Sequence, residues 1–442
     1  AQWTPDCTQD IPESIIPIRH VDITTGIPVD ESTYDVIYKS IHLPGGEAIG
    51  MLTTAGQRDL YNLGGRLRKD YVGAESILSD PPKLSEIEAR STRVGRNIKS
   101  LRALVAGLTK GQVNGELFFA FEWLYLQCEP LPFSMHIVAF SGTLVVSSMA
   151  FENEVLFPNP KTFTNTPFDE GTEELRNDSS LSALKEKIKE ALKVDRLVDE
   201  LNTDGMKYTE DCQVYYVRDD YIARKHNGFP IPEALEALQP EMDHYASVEL
   251  LSELLGKREN WIENLPVNIG PILYIILSKM HKYARIPPLQ LFAVHDSTIL
   301  PMLLALEYSE EIWPPFGADI TFELYIQVLG PSNNQSPLKK ELTHPADASH
   351  SRIDWSTIQV NHLWVRVCYL GRPLPLASMW CARDDVVHQL TGSEEYVPLL
   401  HLVSKLTPLA LSMKDFRAKC QAIAMKANSG GVKEEKRGPK NL

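Results

Sequence analysis

A short apolar run that ends in a histidine and an aspartate constrains the fold of this chain most strongly. Residues 289–294 read LQLFAV, and after His295 and Asp296 a helical pattern occupies residues 297–306. An apolar run of this length, followed by a turn and a helix, predicts a buried strand of an α/β sheet. Ligands bind at the carboxyl ends of the strands in such sheets, so His295 and Asp296 stand where chemistry is common.

Two further segments carry apolar residues at helical spacing. The first covers residues 53–72 and has Thr53 or Thr54 as its expected N-cap. The second begins after Ser91, ends near Gly107, and presents its apolar residues as one stripe. Both patterns predict amphipathic helices that pack a single face against a core.

The rest of the chain suggests a core, an insertion, a cap and a tail. Strand candidates at 320–328 and 362–369 can extend the same sheet. The predicted divisions are a first part of the α/β core at 1–115, an atypical apolar insertion at 116–151, a helical cap subdomain at 152–259, a second part of the core at 260–426, and a disordered tail at 427–442.

Composition excludes several classes of protein. Of the 442 residues, 43% are hydrophobic and 23% are charged, which is typical of a globular protein. The formal net charge of −14 argues against nucleic-acid binding, because phosphate backbones are captured by clustered Lys and Arg. Six cysteines without CxxC spacing predict neither a zinc ribbon nor a redox dithiol. The apolar runs within 116–151 are shorter than the about 20 residues of a spanning helix, so we expect a buried or poorly folded insertion and no transmembrane anchor.

The His295-Asp296 pair has two interpretations. One is a turn that caps the following helix. The other is a catalytic pair, in which the aspartate protonates a leaving alkoxide and the histidine holds an anionic oxygen by a charge-assisted hydrogen bond. Taken alone, the dipeptide favours the first interpretation.

Arg96 also has two interpretations. Residues 90–96 read RSTRVGR and begin the second helix. They can form a solvated helix start in which Ser91 or Thr92 caps free backbone amides. Arg96, however, lies about 200° round the helix from the apolar stripe, in the first turns, where backbone amides favour anions. A guanidinium at that place can bind a phosphate with two parallel hydrogen bonds.

Four blocks in this chain occur in the order typical of one enzyme family. They are LTTAG at 52–56 with LGGRLRKDY at 63–71, RSTRVGR at 90–96, AVHDST at 293–298, and ADITFELY at 318–325. Together they resemble the histidine acid phosphatases. The LPGG at 43–46 and the WPPF at 313–316 resemble the lysophosphatidic acid phosphatase branch in particular.

The resemblance implies a phosphoglycerate-mutase-like α/β core with an inserted helical cap, and a hydrolase that needs no metal or cofactor. It makes Arg96 a phosphate clamp, His295 a phosphate ligand and Asp296 the general acid. It implies a phosphohistidine intermediate and a small-molecule phosphomonoester substrate, with the lysophospholipid lysophosphatidic acid preferred. A monomer is expected, located in mitochondria or alternatively in a secretory or lysosomal lumen.

The nucleophile departs from the family pattern. Family members carry it in an early Arg-His-Gly-x-Arg-x-Pro motif. The only early Arg-His pair here, at Arg19 and His20, continues with VDITT and lacks the Gly, the second Arg and the Pro. We therefore expect the motif to lie upstream of Ala1, and we interpret His20 as a surface histidine in a loop or strand. The absence of the motif and the insertion at 116–151 are both expected of a truncated isoform or an imperfect gene model. The alternative function is a catalytically inactive anion-binding relative.

Overall fold

A computed structural model gives the fold of most of the chain. It describes residues 3–16, 18–22, 33–43, 45–73, 76–92, 94–112, 117–121, 143–148, 167–193, 213–282, 288–308, 313–326, 353, 355, 363–381 and 394–430.

Within these residues one mixed sheet forms the centre of the molecule. Its strands are β1 Ile18–Asp22, β2 Ile87–Ser91, β3 Leu117–Phe121, β4 Thr143–Ser148, β5 Leu289–Val294, β6 Asp319–Ile326, β7 Leu363–Tyr369, β8 Arg372–Pro373 and β9 Tyr396–Pro398. They lie in the order β1-β3-β2-β5-β4-β6-β7-β8, and β9 also pairs with β7. The neighbouring strands β1, β3, β2, β5 and β4 pair in parallel. The pairs β4–β6, β6–β7, β7–β8 and β7–β9 are antiparallel.

Helices surround this sheet. They are α1 Thr33–Ser40, α2 Thr54–Tyr71, α3 Gly95–Thr109, α4 Pro167–Arg176, α5 Ser179–Leu192, α6 Val214–His226, α7 Glu233–Glu236, α8 Gln239–Leu255, α9 Trp261–Asn268, α10 Gly270–His281, α11 Asp296–Ala305, α12 Leu376–Trp380, α13 Leu399–Leu406 and α14 Met413–Gly430. No helix in the described part of the chain is both long and apolar enough to cross a membrane.

The α/β sheet with flanking helices confirms the predicted fold class. The run at 289–294 is strand β5, buried along its whole length, and α11 follows it directly. Helix α2 begins one residue after Thr53, whose side chain accepts a hydrogen bond from the backbone N–H of Gly56 at 3.0 Å. Local pattern and cap chemistry were sufficient to place these elements.

The prediction of a single buried stripe on α3 is wrong. The polar residues Arg96, Asn97 and Ser100 are buried together with the apolar ones. Helix α3 packs against α2 so closely that a Cβ added to Gly64 would lie 2.0 Å from the carbonyl oxygen of Leu104. A helix that contacts both the sheet and a second helix is covered on most of its circumference.

Two parts of the predicted insertion are strands of the sheet. Strand β3 lies between β1 and β2, and β4 lies between β5 and β6. The other residues of 116–151 fall outside the described part of the chain. At the other end, α14 continues to Gly430, so the first four residues of the predicted disordered tail at 427–442 are helical instead. These four residues, which read ANSG, continue the helix that begins at Met413.

The helices between β4 and β5 have a hydrophobic cluster of their own. It is formed by Leu181, Leu184, Ile188, Val214, Tyr221, Leu235 and Met242. This cluster is separate from the large cluster around the sheet. The first residues of the predicted cap, 152–166, lie outside the described residues, so its boundary stays a prediction.

Glu249 of α8 holds the N-terminus of α6. Its Oε2 accepts hydrogen bonds from the backbone N–H groups of Val214, at 2.6 Å, and Tyr215, at 3.4 Å. Burial raises the pKa of Glu249 to about 7, although Lys185, whose Nζ lies 3.6 Å from Oε1, opposes the rise. The carboxyl group therefore titrates near neutral pH while it supports a cap helix.

We expect this group to make stability fall as the pH rises. A pKa raised in the folded state stabilises the protein below the unfolded value, about 4.3, and the contribution is lost as the pH passes through about 7. Glu249→Gln should therefore be about 3–4 kcal/mol more stable than wild type near pH 8 and no more stable near pH 4. Urea denaturation at the two pH values measures the difference. An equal effect at both values would contradict the assignment.

Candidate active site

The predicted site residues follow two neighbouring strands of the sheet. Strands β2 and β5 are paired in parallel, with Ser91 opposite Ala293. Helix α3 begins four residues after β2 ends, and α11 begins two residues after β5 ends. Arg96 on α3 and the His295-Asp296 pair are therefore brought to the same edge of the sheet.

Arg96 is buried and held from two sides. Only 6% of its surface is exposed, and its Nη1 donates a hydrogen bond to the carbonyl oxygen of Gly50 at 3.3 Å. Its Cζ lies 5.7 Å from the centroid of the Tyr38 ring. Gly50 has a φ of +66°, and a Cβ at this position would lie 2.7 Å from the Tyr38 ring. Glycine is thus needed here for both conformation and space. The sequence analysis missed Gly50, although positive φ is a common reason for a loop glycine.

The start of α3 differs from the predicted cap. The Ser91 hydroxyl donates to the Thr92 carbonyl oxygen at 2.8 Å, and Thr92 Oγ1 accepts from Asn97 Nδ2 at 2.7 Å. The backbone N–H of Gly95 donates instead to both carboxylate oxygens of Asp35, at 2.9 and 3.1 Å. A carboxylate from a distant helix replaces the local cap, because Ser91 and Thr92 bond elsewhere. Arg93 lies outside the described residues.

His295 contacts the residue that follows Arg96. Its Nε2 lies 3.4 Å from Asn97 Nδ2, an amide nitrogen that also donates to Thr92 Oγ1, at 2.7 Å, and to the carbonyl oxygen of Val294, at 3.2 Å. The other ring nitrogen, Nδ1, is buried and has no hydrogen-bond partner among the described residues. Burial, and then the charge of Arg96, lower the pKa of His295 to about 3. In this arrangement the imidazole is neutral at neutral pH, so the expected charge-assisted hydrogen bond becomes one from a neutral N–H group.

Asp296 is the first residue of α11. It is 3% exposed, and its Oδ1 accepts a hydrogen bond from the backbone N–H of Ser297 at 2.7 Å. His295 occupies the N-cap position, and its side chain makes no cap hydrogen bond. The interpretation as a helix cap thus fits the Asp296 carboxylate but not the His295 side chain.

Helix α6 of the helical subdomain contributes two ionisable residues, Arg218 and Asp219, that the sequence analysis missed. Arg218 of α6 donates to Asp219 Oδ1 at 3.0 Å and to Asp243 Oδ1 at 2.8 Å. The charges of Asp296 and Arg96 both act on the pKa of Asp219. Helix α6 therefore faces the site. The sequence offered no signal for this except the local Arg-Asp-Asp run, because α6 is distant from both strands in the chain.

His20 lies far from this site. It is on β1, which is separated from β5 by β3 and β2. Across the sheet this is about 14 Å, because neighbouring strands lie about 4.8 Å apart. The strand register places Val21 of β1 at the same height as Phe292 of β5, through Ala120 and Arg90 on the strands between them. His20 lies one residue before this height and His295 lies three residues after it. This adds about 13 Å along the strands.

Comparison with known families identifies the chain. A family model described as the histidine phosphatase superfamily, branch 2, matches residues 29–340, which is more than half of the chain. The chain belongs to this superfamily. Lysophosphatidic acid phosphatase type 6 from Pongo abelii and from Homo sapiens are each 27% identical to it over 331 residues, covering 73% of this chain and 68% of the relative.

Solved structures give a more distant likeness. The apo phytase of Hafnia alvei aligns with a TM-score of 0.48 and 12% identity, covering 89% of this chain and 95% of the phytase. Membership of the histidine phosphatase superfamily makes the chain a phosphatase, as the sequence motifs predicted.

Proposed function

We propose that the complete gene product of this histidine phosphatase hydrolyses lysophosphatidic acid to monoacylglycerol and phosphate through a phosphohistidine intermediate. The observation that carries the proposal is the meeting of Arg96, His295 and Asp296 at one edge of the sheet. Their residue types match the three tasks of the reaction: binding the phosphoryl oxygens, stabilising their charge, and protonating the leaving group.

Arg96 and His295 would bind the phosphoryl group. A guanidinium offers two parallel N–H donors to phosphate oxygens, and burial strengthens such hydrogen bonds. The Nδ1–H of His295 would donate to another oxygen. The bound anion would also favour the charged imidazole and counter the low pKa of about 3. Both groups are held before substrate arrives, which avoids reorganisation during the reaction.

Asp296 would act as the general acid. When the bond between phosphorus and the ester oxygen breaks, its carboxyl proton passes to the leaving alkoxide and gives the alcohol. In the second half of the reaction the same carboxylate would accept a proton from the water that attacks the phosphohistidine. The hydrogen bond from Ser297 fixes the orientation of the carboxylate.

Trapping the phosphohistidine identifies the attacking residue. His20 does not fit, because β1 keeps its backbone three strands away from His295. A rapid acid-free quench with ³²P-labelled substrate, followed by peptide mass spectrometry, would locate the phosphohistidine. Label on His20 would contradict our placement of the site. Turnover without any trapped phosphohistidine would contradict the covalent route.

The surroundings of the site favour a substrate with one phosphate and an apolar part. Arg218 lies 5.3 Å from the Trp313 ring and 6.0 Å from the Phe316 ring, and its charge is already shared by Asp219 and Asp243. An arginine already engaged in this way, next to aromatic rings, offers little free positive charge to a polyanion. The names of the curated relatives support the same substrate.

The proposal is tested by measuring phosphate release from three substrates. We expect lysophosphatidic acid to be hydrolysed with a higher kcat/KM than inositol hexakisphosphate, and p-nitrophenyl phosphate to report activity without regard to the lipid chain. Preference for the inositol phosphate would overturn the lipid assignment alone. No release from any of the three would favour the inactive anion-binding alternative.

Arg96→Lys should weaken phosphate binding while keeping the charge. Lysine loses the planar pair of donors and the contact with Gly50, and a hydrogen bond to a charged group contributes about 1.5–3 kcal/mol. We therefore expect inorganic phosphate to inhibit about 10- to 100-fold less strongly. Arg58→Lys, on the exposed side of α2, is the matched control and should leave inhibition unchanged. Equal inhibition of wild type and Arg96→Lys would remove Arg96 from the site.

A further inference from the structure

The cap helix α6 brings a carboxyl group to the proposed phosphate site. One carboxyl oxygen of Asp219, Oδ1, accepts a hydrogen bond from Nη1 of Arg218 at 3.0 Å. The other oxygen, Oδ2, is buried and has no hydrogen-bond partner in the described part of the chain. The charges of both Arg96 and Asp296 also act on the pKa of Asp219. A buried polar atom in such a place calls for a partner that arrives with the substrate.

The protonation state of Asp219 decides what that partner is. Burial, which Asp296 reinforces and Arg218 and Arg96 oppose, raises the pKa of Asp219 well above the usual range of an aspartic acid. Because Oδ1 already accepts from Arg218, the proton of the neutral acid lies on Oδ2. A buried O–H donor without an acceptor costs free energy, and a phosphoryl oxygen supplies the acceptor.

We propose that Asp219 is a phosphate-binding residue of the cap, which in its protonated form donates a hydrogen bond from Oδ2 to an oxygen of the phosphoryl group bound by Arg96. This inference rests on the proposed function of the site. When Asp219 is ionised, its charge repels the phosphate and binding weakens. The cap therefore takes part in phosphate binding, and it makes binding depend on one proton.

A second observation points to a ligand at the same place. His295 is 2% exposed, and its Nδ1 has no hydrogen-bond partner within the residues described. Two buried polar atoms, one from the core and one from the cap, thus lack hydrogen-bond partners among the described residues, and the charge of Arg96 acts on both side chains. A tetrahedral anion has enough oxygens to accept from both of them as well as from the guanidinium.

Other charged groups around α6 are engaged in their own contacts. Asp243 accepts a hydrogen bond from Arg218, Glu249 from the N-terminus of α6, Glu253 from the Tyr215 hydroxyl and Asp220 from Arg224, and Asp59 forms an ion pair with His226. Asp220 is adjacent to Asp219 but pairs with Arg224 at 2.6 Å on the exposed side of the helix. It is therefore a matched control for a change of charge at Asp219.

The test is calorimetric binding of inorganic phosphate to the full chain. Asp219→Asn keeps a donor and cannot ionise, so it should match wild type at pH values where Asp219 is protonated, and its advantage in phosphate affinity should grow about tenfold for each pH unit above the pKa of Asp219. Asp219→Leu has no donor and should bind about tenfold more weakly near pH 5. Asp220→Asn should follow wild type at every pH.

Three results would overturn the inference. In the first, Asp219→Asn shows the same pH dependence as wild type. In the second, Asp219→Leu binds phosphate like wild type near pH 5. Either result, obtained with Arg96-dependent binding and hydrolysis intact, leaves the proposed function standing. In the third, wild type does not bind phosphate, which overturns both. If Asp219→Leu does not fold, the comparison of wild type with Asp219→Asn still decides.

Discussion

Replacing Asp296 with asparagine is expected to lower kcat for lysophosphatidic acid by about 10²- to 10⁴-fold. An asparagine has nearly the same shape and can still accept a hydrogen bond from the backbone N–H of Ser297. It cannot give a proton to the leaving alkoxide, which is a poor leaving group without one. Inhibition by inorganic phosphate should change little, because binding depends on Arg96 and His295.

The leaving group separates a role in acid catalysis from a structural role. p-Nitrophenolate leaves without protonation, so Asp296→Asn should retain much more activity on p-nitrophenyl phosphate than on the lipid substrate. Kinetics on both substrates, with the melting temperature as a control for folding, measure this difference. An equal loss on both substrates would show that Asp296 does not protonate the leaving group. An unchanged rate on the lipid would remove it from catalysis altogether.

Gly64→Ala is expected to destabilise the protein by about 3–5 kcal/mol. The added Cβ would lie 2.0 Å from the carbonyl oxygen of Leu104 and 2.8 Å from the backbone nitrogen of Leu108. Both atoms belong to the backbone of α3, which cannot rotate away as a side chain does. Helix α3 would have to move, and Arg96 lies on its first turn, so phosphate binding should weaken as well.

Gly65→Ala is the matched control on the same helix. A Cβ on Gly65 meets nothing within 4 Å, so the change should stabilise the protein by about 0.5–1 kcal/mol through helix propensity. Chemical denaturation of both variants measures the contrast. Local propensity predicts the same gain at both positions, so similar stabilities would show that α2 and α3 do not approach as closely as described.

Close contact between helices was not readable from the sequence. The periodicity of α2 and α3 gave their boundaries to within a few residues. It did not show that Gly64 and Gly107 bring two backbones together, where a Cβ on Gly107 would lie 2.0 Å from the carbonyl oxygen of Tyr61. Glycine inside a helix lowers local helix propensity, so its reason has to come from packing.

The site residues also fall into those that the motifs located and those that only the tertiary structure revealed. The motifs alone located Arg96, His295 and Asp296, because each follows a strand or begins a helix within a few residues. Asp35, Gly50 and Asp219 were missed. Asp35 lies 60 residues from the amide that it caps, and Gly50 lies 46 residues from the guanidinium that it holds. No local pattern records a contact over such a distance.

The sequence by itself determined the strand-turn-helix that carries His295 and Asp296, the helix that carries Arg96, and the family. These follow from short-range periodicity, caps and motif order, which depend on neighbours in the chain. Only the tertiary structure decided that α6 faces these residues, that burial and the charge of Arg96 lower the pKa of His295, and that burial raises the pKa of Asp219. Burial and the charges of distant residues set those properties, and both exist only once the sheet and the cap have come together.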